Sequence, residues 1–216
     1  MIRKIMTFAL CAAFLGFSAG ASAAANASGR IKPRSSLFLE FSPHVDVVMI
    51  GDSITKQGLW SEFVPEIKIA NRGVGGDKAD QILQRMDTIL NTQPKVAYLM
   101  VGINDLTHGR SVKKTFNNIV AITEQLQQNN IKVVLQSTLE CAREKCQRIF
   151  NKKVKRLNAA LVTYANSNNI KFIDLNPYLS IKTGLNPKYT FDGLHLNGKG
   201  YRVWVDRLYA EGITDF

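Results

Sequence analysis

Five short apolar runs punctuate the chain: Val45–Ile50, Ile67–Asn71, Val96–Val101, Ile131–Gln136 and Ile170–Leu175. Several are nearly continuous in apolar residues rather than alternating. That is the pattern of strands covered on both faces, as in a parallel sheet. Between the runs, apolar residues recur at helical spacing. Ala79, Ile82, Leu83, Met86 and Leu90 form one stripe; Val112, Phe116, Ile119, Val120 and Leu126 form a second; Phe150, Val154, Leu157, Leu161 and Tyr164 form a third. A last helix is predicted from Lys199 to about Ala210, with Val203 and Leu208 facing inward. These stripes read as core-facing surfaces. The βαβα alternation predicts an open, doubly wound α/β fold: a flavodoxin-like three-layer α/β/α sandwich with a five-stranded parallel sheet in the order 2-1-3-4-5. In such sheets functional groups gather at the carboxyl ends of the strands, so each candidate residue should follow a strand.

The first residues break this pattern. Arg3 and Lys4 precede a mostly apolar stretch from Ile5 to Phe17, and Ala21-Ser22-Ala23 is an A-x-A cleavage sequence. This is the layout of a bacterial secretory signal peptide, and its apolar part is short for a bilayer span. The expectation is a signal peptide over 1–23, a flexible lead-in over 24–36 and one domain over 37–216, in the periplasm or secreted. An uncleaved membrane anchor is the alternative. No later segment is long and apolar enough to be transmembrane, so the mature protein is expected to lack a membrane span. About 193 residues remain after cleavage, enough for one domain with a sizeable core.

Charge and cysteine content narrow the partners. The full chain carries +11, and removal of Arg3 and Lys4 leaves +9. A basic exported protein favours anionic partners such as acidic glycans, cell-wall polymer or lipid headgroups, or simply carries a well-solvated surface that aids solubility. No nucleic-acid-binding motif accompanies the charge. Cys141 and Cys146 are the cysteines left after cleavage. An oxidising compartment would let them pair, closing a short loop for roughly 2 kcal/mol of chain entropy; two free thiols are the alternative. No histidine lies near them, so a metal site is not expected.

The chemistry-bearing residues follow the strands. Gly51-Asp52-Ser53 follows the first run, and a hydroxyl there sits at the mouth of the sheet, where a base and an oxyanion site would make it a nucleophile. Asn71-Arg72-Gly73-Val74-Gly75-Gly76-Asp77 follows the second, with glycines that let backbone N–H groups approach an anion. Gly102-Ile103-Asn104-Asp105 follows the third, and the Asn104 amide is a candidate donor to a developing oxyanion. Near the C-terminus stands Phe191-Asp192-Gly193-Leu194-His195-Leu196. A neutral His195 beside Ser53 would take its proton, and Asp192 would hold the other ring nitrogen. His44 and His108 read as ordinary surface or hydrogen-bonding residues, and Asp52 as structural.

Taken together and in order, Gly51-Asp52-Ser53, the Gly73–Asp77 loop, Gly102-Ile103-Asn104-Asp105 and Asp192-Gly193-Leu194-His195 resemble the four blocks of the SGNH hydrolases, also called GDSL esterases. The likeness runs from about Val45 to Tyr201, and its closest flavour is the small single-domain, acetylhydrolase-like branch. The resemblance implies Ser53 as nucleophile, His195 as base, Asp192 as its orienter, and an oxyanion hole from the Ser53 N–H, the Gly76 N–H and the Asn104 side chain. Gly76 is preferred to Gly73 or Gly75 for its place before Asp77. No metal or organic cofactor is implied. The expected reaction is hydrolysis of short-chain esters, acetyl foremost, on a carbohydrate or cell-envelope substrate. Longer acyl chains (a lysophospholipase, thioesterase or arylesterase), acyl transfer to an alcohol, and an inactive envelope-binding protein are the alternatives. Arg143, Lys145 and Arg148, after the fourth run, are candidates to meet an acidic glycan; a solvated charged loop pinned by a disulfide is the alternative.

Overall fold

The structure is a computed structural model and describes residues 32–216. The expected signal peptide and most of the expected lead-in lie outside these residues. Strands β1 (Val47–Gly51), β2 (Ile69–Gly73), β3 (Val96–Met100), β4 (Lys132–Gln136) and β5 (Lys171–Ile173) form one sheet in the order β2-β1-β3-β4-β5. Every neighbouring pair is parallel. The predicted order therefore holds, and helices flank the sheet as expected. Val47, Val48, Met49 and Ile50 are 0% exposed, which is why the run carries no alternation. Each strand begins one or two residues later than its apolar run, apart from β3.

The helices are α1 (Pro33–Glu40), α2 (Ser53–Gln57), α3 (Trp60–Phe63), α4 (Ala79–Leu83), α5 (Asp87–Leu90), α6 (Ile103–Thr107), α7 (Val112–Gln128), α8 (Arg148–Ser167), α9 (Asn176–Leu179) and α10 (Gly198–Ala210). The two long helices stop the same way. Each ends on an Asn pair whose second member is left-handed, Asn130 at φ 59° and Asn169 at φ 53°. The next residue, Ile131 or Ile170, donates its N–H back to Leu126 or Ala165, closing the helix end and starting the next strand. A short hairpin of β6 (Ser180–Ile181) and β7 (Gly184–Leu185) stands apart from the main sheet.

Two expectations need correction. The stripe Ala79–Leu90 is not one helix but α4 and α5, separated at Gln84–Met86. The Arg85 N–H bonds to Ile82 O, three residues back, and the Thr88 hydroxyl takes Arg85 O. That tightened turn aims the Arg85 side chain into the core. The last residues of the lead-in are also ordered: Pro33 at the first helical position starts α1, and Lys32 and Arg34 bond to the loop after β2. Cys141 and Cys146 are joined by a disulfide, with Cα atoms 5.8 Å apart.

Candidate active site

Packing dictates the turn after β1. A Cβ on Gly51 would stand 2.1 Å from Thr55 Oγ1 and 2.4 Å from Met100 O, so only glycine lets the chain turn between β3 and α2. Asp52 then caps α2, its Oδ1 accepting from the Ile54 N–H at 2.9 Å. Ser53 is thereby the first residue of a buttressed helix. The Tyr201 hydroxyl donates to Ile54 O at 2.6 Å, and Trp60 Nε1 donates to Thr55 O at 2.8 Å. Trp60 meets Trp204 of α10 edge-on at 4.7 Å. The C-terminal helix thus fixes the floor under Ser53.

The loop before α10 carries the other partners. Thr190 Oγ1 donates to His195 O at 2.6 Å and accepts from the Gly193 N–H at 2.9 Å. Asp192 Oδ1 accepts from the backbone N–H of Leu194 at 2.9 Å and of His195 at 2.7 Å. Gly193 sits at φ +83°, a left-handed turn that suits glycine. With the loop so folded, His195 Nε2 lies 2.8 Å from Ser53 Oγ and His195 Nδ1 lies 2.7 Å from Asp192 Oδ2. For the serine hydroxyl to donate to Nε2, the ring proton must sit on Nδ1, where Asp192 accepts it. Burial works to raise the Asp192 carboxyl, but hydrogen bonds from the His195 side chain and from the His195 and Leu194 backbone outweigh it and hold the pKa at about 2. Asp192 is therefore a carboxylate at any working pH.

The loop after β2 supplies the candidate anion pocket. Val74 N–H donates to Gly51 O at 3.1 Å, tying the loop to the serine turn. Gly73 N–H is engaged by Asn71 Oδ1 at 2.9 Å, which removes it as a donor. Among the described residues neither the Ser53 nor the Gly76 N–H has a protein acceptor. Gly76 is at φ +72° with open space where a Cβ would be. Asn104, near the start of α6, turns its Nδ2 to Asp77 O at 3.1 Å and to Asp52 Oδ2 at 3.3 Å. Both amide hydrogens are engaged in the free protein, so an oxyanion would displace the longer contact to Asp52.

Buried acids surround this pocket. Burial pushes Asp52 up to about 7; the Ile54 N–H opposes the rise, and the charges of Asp77 and Asp105 add to it. Burial likewise raises Asp105 to about 6, although its Oδ2 accepts from the Ala79 N–H at the start of α4 at 3.0 Å. Asp77 is buried and paired with the equally buried Arg85, Nε to Oδ2 at 2.8 Å. Arg85 also reaches Arg72 O at 2.9 Å. Lys32 bonds both Asp77 and Gly75 O, and Arg34 Nε reaches Gly73 O at 2.8 Å.

All five predicted site residues converge on one sheet edge. Ser53, His195 and Asp192 form one hydrogen-bonded chain, and Gly76 and Asn104 come from the neighbouring strand ends. His108 turns its Nδ1 to Asn104 O at 2.8 Å, and His44 is exposed. Sequence reasoning missed Thr190, Arg85, Lys32 and Arg34, which brace the loops rather than face the cleft. The sequence pattern assigns Phe191 no role. It is 65% exposed and lies nearly parallel to the His195 ring, centroids 5.9 Å apart at 15°.

Comparison with known proteins agrees with this fold. The model of the GDSL-like Lipase/Acylhydrolase family matches residues 49–203. The platelet-activating factor acetylhydrolase IB subunit alpha1 of Rattus norvegicus is 28% identical over 174 residues, covering 76% of this chain and 74% of that protein. The crystal structure of a GDSL-like lipase from Bacteroides thetaiotaomicron superposes with a TM-score of 0.72 at 28% identity, covering 82% of this chain and 94% of that one. That of an acetyl xylan esterase gives 0.67 at 26% identity, covering 77% and 98%. The N-acylneuraminate cytidylyltransferase of Streptococcus agalactiae also matches, at 26% identity over 78% of this chain, which spans only 40% of its length.

Proposed function

The chain belongs to the GDSL-like lipase/acylhydrolase family, a serine ester hydrolase by fold and kinship, and on that premise we propose that it is an exported esterase removing acetyl groups from a carbohydrate or cell-envelope substrate. The observation that carries the reading is the chain Ser53 Oγ–His195 Nε2–Asp192, with links of 2.8 and 2.7 Å.

In this reading Ser53 Oγ attacks the ester carbonyl as His195 Nε2 takes its proton. The Asp192 carboxylate stabilises the imidazolium through Nδ1–H. The oxyanion enters the space bounded by the Ser53 and Gly76 N–H groups and the Asn104 amide, each donor lowering the barrier by roughly 2.7–4 kcal/mol. His195 returns the proton to the leaving alcohol, then activates the water that releases acetate and frees Ser53.

The acetyl preference draws on two relatives whose names include an acetyl ester activity. A carbohydrate leaving group fits Phe191, whose exposed ring lies beside the reacting imidazole, since apolar sugar faces stack on aromatic rings. Export rests on the N-terminal signal pattern of residues 1–23 and is supported by the Cys141–Cys146 disulfide, a bond of oxidising compartments. The test is turnover of nitrophenyl esters of increasing chain length, followed by a panel of acetylated glycans. Highest kcat/KM on acetate esters supports the reading. A maximum at long acyl chains overturns the acetyl assignment in favour of a lipid substrate.

A further inference from the structure

A second cavity, of about 700 Å³, opens beside the disulfide. Its walls come from three places: the disulfide loop with Arg143, the hairpin turn with Lys182 and Thr183, and the first two turns of α8 with Arg148, Lys152 and Lys155. These five cations are all exposed. Among the described residues only Lys155 has a carboxylate within 4 Å, Glu140 at 3.6 Å. Four cations thus share one concavity with no partner, at a helix end whose own partial charge is positive and whose first turn holds no acid. An arrangement that repels itself is relieved by an anion.

The walls are rigid. Asn151 clamps the Cys141 backbone twice, accepting from its N–H at 3.0 Å and donating to its carbonyl at 2.8 Å. Gly184 of the hairpin lies so close that a Cβ would meet Cys141 O at 2.2 Å. Glu140 supplies a second pointer to a ligand. Its side chain is 8% exposed and lines the cavity, 3.6 Å from Lys155, so this ion pair leaves carboxylate lone pairs at the cavity wall for a ligand hydroxyl. Four cations call for carboxylates, and Glu140, Gln147 and Thr183 call for hydroxyls. An acidic sugar carries both groups. The disulfide loop also joins this cavity to the candidate active site, because the Ala142 N–H donates to Gly193 O at 2.7 Å.

We infer that this cavity binds a carboxylate-bearing saccharide segment and so holds an acidic glycan beside the esterase site. The inference deepens the proposed function and rests on it for making the ligand part of the substrate. The test titrates the full chain carrying Ser53→Ala, which binds without turnover, with a short oligogalacturonate. A neutral xylo-oligosaccharide and inorganic phosphate serve as comparisons at matched ionic strength. The oligogalacturonate is expected to bind with an affinity that falls as salt rises, and the neutral sugar not to compete. Lys152→Glu with Lys182→Glu should weaken binding about tenfold, the scale of two partly exposed ion pairs, and Lys182→Gln should weaken it less. Both side chains are exposed, so melting curves will show that the variants remain folded. Equal binding of the neutral sugar, full competition by phosphate at the same concentration, or unchanged affinity in the double variant overturns the inference. Failure of this titration leaves ester hydrolysis by the wild type untouched, and failure of hydrolysis leaves the titration untouched.

Discussion

Asp52→Asn isolates the electrostatics of the serine turn. Asp52 is 1% exposed, and its carboxyl is pushed from 3.8 to about 7 by burial, with the charges of Asp77 and Asp105 adding to it against the pull of the Ile54 N–H. A carboxyl whose folded pKa lies above its unfolded value binds more protons in the native state between the two values. Stability therefore falls as pH rises through that window and is level above it. With the two values about three pH units apart, the loss is at most about 4 kcal/mol between about pH 4 and about pH 8. Asparagine does not titrate, so the variant loses this slope and keeps only that of other groups, Asp105 among them. Its own Oδ1 still caps Ile54, but its amide would face the Asn104 amide, donor against donor. That adds a pH-independent penalty of about 1–3 kcal/mol. The measurement is urea unfolding of both proteins, disulfide intact, across the window. The difference in stability, variant minus wild type, should grow more favourable to the variant as pH rises. Parallel profiles would refute the claim that a buried carboxyl beside the nucleophile is held mostly protonated below neutrality.

Four further outcomes follow from the same contacts. Asp192→Asn presents an amide N–H to His195 Nδ1, which forces the ring proton onto Nε2, so kcat should fall by about 10³–10⁴ at neutral pH, measured on nitrophenyl acetate with melting curves as the fold control. Cys141→Ser with Cys146→Ser should reduce stability by about 2 kcal/mol in urea titrations; because Ala142 braces Gly193, kcat should fall as well, and the wild type should behave alike under reductant. Gly51→Ala, whose Cβ would strike Thr55 and the Met100 carbonyl, should unfold the domain or lower its stability by more than about 3 kcal/mol. Gly76→Ala, with open space but a left-handed φ, should lower it by only about 1–2 kcal/mol while reducing kcat, as seen by comparing the two in unfolding and turnover assays.

Much of the fold was legible because burial on both sheet faces leaves an unmistakable trace. Runs such as Val45–Ile50 lack alternation, and their interleaving with 3.6-residue stripes leaves few topologies. Three blocks of the candidate site were legible because each follows a strand and the doubly wound sheet brings those ends together, whereas the Asp192–His195 block lies in the loop before α10. What escaped was held by long polar side chains. Arg85 reads as an exposed position in an amphipathic stripe, yet it is 2% exposed, with the Asp77 carboxylate on its Nε and the Arg72 carbonyl on its Nη2. The turn that divides the expected helix in two carries this side chain inward. Lys32 and Arg34 sit in a stretch whose composition reads as a flexible leader, and the carbonyls of Gly73 and Gly75 with the Asp77 carboxylate, all about forty residues away in sequence, order them. Thr190 resembles any loop threonine until His195 and Gly193 close on its hydroxyl. In each case the partner is distant or is backbone, and local periodicity carries no record of it.

The central claim is that Ser53 is the nucleophile of an acyl-enzyme. The most direct measurement is covalent capture: the wild type and Ser53→Ala are treated with a fluorophosphonate, and the adduct is located by peptide mass spectrometry. The account predicts one adduct per chain, on the peptide holding Ser53, loss of nitrophenyl acetate turnover in step with labelling, and neither adduct nor turnover in the variant. Labelling elsewhere, or turnover in Ser53→Ala equal to the wild type, would contradict it.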